Sequence, residues 1–155
     1  MAIDSHHGVL QYMRSVQSLP PSIACVQADG LCLPFRAHTF DVVLCSTMLH
    51  HLDWQQGIAL LQSMATVARY AVVVNDLVRS RLYYYAARLM LSFMACHDVT
   101  RHDGPLSVLR AYSVEEVREM AHLAGLIPVR VSTALGYRFV LVYRPSVQEM
   151  VTDGI

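Results

Sequence analysis

The chain has 155 residues, 54% of them apolar, which is enough for one domain of ordinary size with its own core. Twelve basic residues balance twelve acidic ones, so there is no net field to gather nucleic acid or an anionic membrane, and neither is expected as a partner. The four cysteines, Cys25, Cys32, Cys45 and Cys96, form neither a C-x-x-C pair nor a zinc-type spacing, and no signal peptide opens the chain. They read as reduced thiols of a cytoplasmic protein, those in strand-like runs acting as small apolar residues.

In chain order, Ser5 can cap a helix beginning near His6, with Val9, Leu10, Met13 and Val16 on one face before Pro20-Pro21 stops it. Ile23 to Gln27 is a short β-prone run ending at Asp29-Gly30. Phe40 to Ser46 is an almost continuous apolar run, as in a parallel strand covered on both faces. Asp53 precedes a helix with Ile58, Leu61, Met64, Ala65 and Ala68 on one stripe, and Tyr70 to Val74 is a further buried strand ending at Asn75-Asp76.

Arg79 to Cys96 favours a long helix. Its Tyr83-Tyr84-Tyr85 run predicts either a buried helix or a lid over a greasy substrate, and Arg88 interrupts a stretch already too short to span a bilayer. Ser113-Val114-Glu115-Glu116 is a capping-box pattern opening a helix that stops at Gly125, and β-prone runs near Ile127 to Val131 and Tyr137 to Tyr143 close the chain. Strands alternating with helices, then two strands, predict an α/β domain with a mostly parallel sheet and a C-terminal antiparallel hairpin.

Several groups invite chemistry. Taken alone, Asp4 and Asp29 read as caps of the turns or helices that follow them, and His50-His51 as a surface turn. Asp41 reads as structural, and Arg110 equally as a contact beside the substrate pocket or as a salt-bridge partner of Glu115 or Glu116. His97 and His102, interleaved with Asp98 and Asp103, carry ligand chemistry but no diagnostic metal spacing. No metal is expected. A polar loop over residues 98–105 bordering a substrate pocket is preferred, with Arg101 as an anion contact.

The runs Ala28-Asp29-Gly30-Leu31-Cys32-Leu33-Pro34-Phe35 and Phe40-Asp41-Val42-Val43-Leu44-Cys45-Ser46 together resemble the cofactor site of class I S-adenosylmethionine-dependent methyltransferases. With Leu49-His50-His51-Leu52 they are similar to the small-molecule, quinone-biosynthesis type. Ala2-Ile3-Asp4-Ser5 looks like that family's second strand, and Val72-Val73-Val74-Asn75-Asp76 like its fifth. The resemblance covers nearly the whole chain and implies a Rossmann-like methyltransferase fold, a partial domain over residues 1–145 and a tail over 146–155.

By the same resemblance Asp4 contacts the ribose hydroxyls of S-adenosylmethionine, Asp29 the adenine amine with Gly30 near the ring, and Cys45 and Ser46 the methionine portion. His51 and His102 are the candidate catalytic bases. The implied reaction is O- or C-methylation of a small aromatic or lipid-like acceptor.

The family's first strand and its D/E-x-G-x-G-x-G loop have no counterpart here. In the family order 3-2-1-4-5-7-6 that strand is central, so the resemblance implies a truncated domain whose two neighbouring strands are unstable, pair with each other or recruit a strand from elsewhere. Open edges favour self-association. A non-catalytic remnant or interaction module is the alternative reading. A nicotinamide oxidoreductase would need G-x-G-x-x-G after a first strand, and no such run occurs.

Overall fold

The computed structural model describes residues 1–16, 20, 22–93, 106–134 and 136–145. Strand β1 (Ala2–Asp4) leads into helix α1 (His7–Val16) and strand β2 (Cys25–Gln27), which pairs with β1 in parallel, Ile3 opposite Val26. Asp4 rather than Ser5 satisfies the start of α1, its Oδ1 accepting from the His6 N–H at 2.7 Å. Strand β3 (Phe40–Ser46), a 3₁₀ turn at Leu49–His51, helix α2 (Trp54–Val67) and strand β4 (Ala68–Leu77) form a second parallel unit, with Ser46 opposite Asn75.

Helix α2 begins where the sequence predicts. Asp53 Oδ1 accepts from the Gln56 N–H at 2.9 Å while Gln56 Oε1 accepts from the Asp53 N–H at 3.0 Å, so two donors of the first turn are satisfied reciprocally. Helix α3 (Arg81–Phe93) and a helical stretch at 106–110 lead to α4 (Val114–Leu123), which repeats the device with Ser113 and Glu116. At its end Gly125 has φ +82, and the N–H of Leu126 donates back to the Ala121 carbonyl, the six-to-one closure a left-handed residue permits.

Strands β5 (Val129–Ala134) and β6 (Arg138–Tyr143) make the antiparallel hairpin, with β6 between β4 and β5. Strand β5 starts two residues later than the sequence predicts, since Pro128 has no N–H to give a ladder. Strand β4 is longer than expected because its flanks are paired along different stretches, residues 68–75 by β3 and 72–77 by β6.

The core lies between α2, α4 and one face of the four-stranded sheet: Leu61, Val72, Val74, Val117, Met120, Leu126, Phe139 and Leu141 are all buried. None of the described side chains of helix α3 is buried. Tyr83 packs on Tyr137 with ring centroids 5.8 Å apart, while Leu82, Tyr85 and Leu89, spaced for one stripe, are exposed.

The strands form two sheets, β1-β2 and β3-β4-β6-β5. That is the expected order on either side of the absent position, and β1 and β3 do not pair with each other. Ala2 and Asp4 direct their backbone groups to β2, which leaves those of Ile3 facing away. The Thr47 N–H donates to the Asn75 carbonyl at 2.9 Å, so by alternation the backbone groups of Val42 and Leu44 face the open edge. Strand β3 is also not covered on both faces: Val42 and Leu44 are 57% and 67% exposed, because no described helix lies over that side.

Asp41 is exposed and lies 3.9 Å from Arg69. Glu116 pairs with Arg79 at 2.6 Å and Glu115 with Arg118 at 3.8 Å, so the expected partnership with Arg110 is replaced. The hydrogen bond from the Ser113 backbone, aided by Arg79, holds the Glu116 carboxyl below its usual range.

Leu61→Ala is expected to cost about 2–5 kcal/mol in denaturant unfolding, whereas Val42→Ser in the apolar β3 run should change stability by less than about 0.5 kcal/mol. A lowered carboxylate pKa contributes stability that is present above the unfolded value and lost as pH falls through the folded one. Glu116→Gln should therefore unfold at lower urea than wild type near about pH 7, with the two midpoints converging as pH falls below the usual carboxylate range.

Candidate functional site

The C-terminal ends of β1, β2 and β3 converge on one open cavity of about 560 Å³, a size suited to a small organic ligand. Strand β1 contributes Asp4 with Ser5 and His6, the loop after β2 contributes Asp29 and Gly30, and the end of β3 contributes Cys45 and Ser46. His51 enters from the 3₁₀ turn, and Leu60 and Met64 of α2 supply an apolar floor. Six of the residues singled out in the sequence, Asp4, Asp29, Gly30, Cys45, Ser46 and His51, thus border the same space. His102, together with Arg101, His97, Asp98 and Asp103, lies outside the described residues.

Both carboxylates are half engaged. Asp4 Oδ1 accepts from the His6 N–H, and Asp29 Oδ1 accepts from the Leu31 N–H at 2.9 Å. These turn contacts fix the side chains and, among the described residues, leave Oδ2 of each as an acceptor for a ligand hydroxyl or amine. At Gly30 an added Cβ would meet only Leu60 and Met48, at 3.4 and 3.5 Å. The protein's own packing therefore does not demand glycine there, and the missing side chain widens the cavity beside Asp29. A nucleoside fits this donor and acceptor set: two acceptors at adjacent strand ends, a bare backbone between them and apolar side chains beneath.

Cys45 is buried, and burial, with the Asp76 carboxylate beside it, pushes its thiol up to about 11. It is a neutral wall residue rather than a nucleophile. Cys25 is half-buried, short of the core position its strand suggests, and Cys32 is exposed.

A pair that the sequence reading passed over stands immediately behind the cavity. His50 Nδ1 and Asp76 Oδ1 are 2.7 Å apart, with side chains only 5% and 1% exposed. The neighbouring His51 ring lies against His50 with centroids 4.0 Å apart. Two signals were available: adjacent histidines after β3 and an acid at the end of β4. Only the strand register brings them together.

The end of β3 is held tightly. Thr47 has φ +53, in the left-handed region that β-branched residues rarely enter. Its N–H bonds to Asn75, the Asn75 Nδ2 reaches Ser46 Oγ at 3.4 Å, and Tyr112 Oη donates to the Leu52 carbonyl at 2.7 Å. No group of three His, Cys, Asp or Glu among the described residues is arranged to hold a metal, and no described helix is long and apolar enough to cross a membrane.

Residues 1–70 match the family model of a methyltransferase domain. A search of curated proteins finds no match. Among solved structures, a SAM-dependent methyltransferase from Aquifex aeolicus is 15% identical, with a TM-score of 0.61 over 92% of this chain and 66% of that one. A possible histamine N-methyltransferase from Thermotoga maritima is 14% identical, with a TM-score of 0.65 over 93% and 72%. PigF, in a structure with SAH, is 15% identical, with a TM-score of 0.60 over 89% and 40%. The chain thus spans just under two thirds of the Aquifex protein's length and well under half of PigF's. These likenesses establish the fold, the Rossmann-like methyltransferase α/β arrangement.

Alkylation followed by mass spectrometry gives a direct check on the cavity wall. At about pH 8, iodoacetamide should label exposed Cys32 readily and leave Cys45 untouched in the folded chain, with Cys45 reacting only on denaturation or as pH approaches its raised value.

Proposed function

We propose that this chain is the S-adenosylmethionine-binding part of a small-molecule methyltransferase. One observation carries the reading: Asp4 and Asp29, at the ends of two adjacent parallel strands, border a single cavity that Ser46 and His51 border from β3 and the turn after it, and each has an oxygen without a partner among the described residues. The methyltransferase-domain match over residues 1–70 spans all of these positions.

When bound, S-adenosylmethionine supplies an electrophilic methyl group to a nucleophilic acceptor atom. The protein's part is binding and alignment. Asp4 accepts from the ribose hydroxyls, Asp29 from the adenine amine, and Ser46 with the neutral Cys45 borders the methionine portion. Leu60 and Met64 keep water from the floor. Alignment of donor and acceptor can lower a barrier by on the order of 7–11 kcal/mol. His51 is placed to take a proton from a hydroxyl acceptor, worth about 10² to 10⁴ in rate.

An aromatic or lipid-like acceptor suits the apolar wall of Leu33, Val43 and Met48, with O- or C-methylation as the outcome. The open edges of β1 and β3 favour a non-catalytic remnant as the second reading, since they border the cavity on the side where the methionine portion would lie.

Calorimetric titration with S-adenosylhomocysteine separates the two. The methyltransferase reading expects saturable binding that Asp29→Ala weakens by about 10-fold or more, the loss of one hydrogen bond to a charged group, while Asp41→Ala leaves it unchanged. A cooperatively folded chain that gives no heat, or an Asp29→Ala variant of wild-type affinity, overturns the assignment.

A further inference from the structure

The buried carboxylate at the end of β4 is fully used. Asp76 Oδ1 faces the His50 imidazole at 2.7 Å and also accepts from the Leu77 N–H at 2.7 Å, and its Oδ2 accepts from the His50 N–H at 3.2 Å. Removing a carboxylate from water costs several kcal/mol unless close partners compensate. Here two of the three contacts come from one residue, His50, through its main chain and its ring, and the third from the Leu77 N–H. That arrangement defines the imidazole's tautomer, with the proton on Nδ1, as well as its plane.

The turn carrying His50 is fixed independently. Thr47 sits at φ +53, a conformation costing on the order of 1–3 kcal/mol that persists only where the surroundings over-determine it. The His51 N–H closes the turn onto the Met48 carbonyl at 3.0 Å. With its own main chain tied back, the His51 ring lies against His50 at 4.0 Å and a 40° tilt, and it borders the cavity. Asp76 and His50 do not border the cavity, while His51 does.

We propose that His50 is a positioning residue: Asp76 locks its ring, and the locked ring holds the His51 imidazole against the cavity wall. The functional meaning of that orientation rests on the methyltransferase reading above, whereas the physical coupling from Asp76 through His50 to His51 does not. A side chain outside the site thereby sets the geometry of one inside it.

Nuclear magnetic resonance on histidine-labelled protein reads the coupling. In wild type, His50 should show one Nδ1–H tautomer with a far-downfield, hydrogen-bonded proton, and the ring protons of His51 should be displaced from those of exposed His7 by the stacked neighbour. Asp76→Asn should abolish the downfield proton and shift the His51 ring resonances toward the exposed values. His50→Gln should also shift them while leaving Asp76 in place. S-adenosylhomocysteine affinity should stay within about 3-fold in both variants, because Asp4 and Asp29 lie apart from the pair.

Unchanged His51 resonances in Asp76→Asn, alongside an altered His50 signal, would overturn the proposal and leave the pair a packing feature. If circular dichroism shows Asp76→Asn to be unfolded, His50→Gln decides in the same way: shifted His51 resonances support the coupling and unshifted ones overturn it. Absence of heat with S-adenosylhomocysteine in wild type would sink the methyltransferase reading and leave the resonance comparison intact.

Discussion

The parallel pairing of β3 with β4, in the register that sets Ser46 opposite Asn75, is the constraint on which the rest of the site depends. Parallel strands joined by a crossover helix finish at the same edge of the sheet, so the loops that follow them gather there. One residue past Asn75, Asp76 comes level with the turn after β3 and meets His50. A slip of one residue would turn Asp76 to the opposite face and leave both His50 and the cavity-facing His51 without a fixed neighbour. Strands β1 and β2 repeat the principle on the other side, ending at Asp4 and just before Asp29.

Burial then decides what each polar group can do. Asp4 and Asp29 satisfy one oxygen within their own turns, and among the described residues the other has no partner. Asp76 satisfies both and has none to offer. Cys45 lies next to that carboxylate in an apolar setting, and both burial and the neighbouring charge oppose its ionisation. The outcome is a wall that is chemically quiet behind the cavity and hydrogen-bonding at its rim.

The interruption between β1 and β3 is the fold's weak point. Among the described residues, the outward ladder groups of Ile3 in one sheet and of Val42 and Leu44 in the other have no strand partner, and the side chains of Val42 and Leu44 meet solvent. Unpaired backbone and exposed apolar surface both raise the free energy of the chain relative to a closed sheet. The compensating core is concentrated where α2 and α4 cover the four-stranded sheet, and it reaches the cavity through Cys45, Leu60 and Met64.

Local chemistry was legible in the sequence. The helix start after Asp53, the capping box at Ser113, the stop at Gly125 and the strand at Phe40–Ser46 depend on contacts within a few residues or on periodicity, and they occur where the sequence places them. The α/β order of strands and helices was legible too. The sequence could not tell that the apolar β3 run has one bare face, because exposure is set by what packs on a strand and not by its composition. Nor could it pair His50 with Asp76, 26 residues apart: each alone reads as a turn residue or a cap. The sequence by itself determined which segments become strands and helices and which carboxylates end them. Only the tertiary structure decided which of those carboxylates faces the cavity and which is buried behind it, because that choice is made by strand register, which belongs to no single segment.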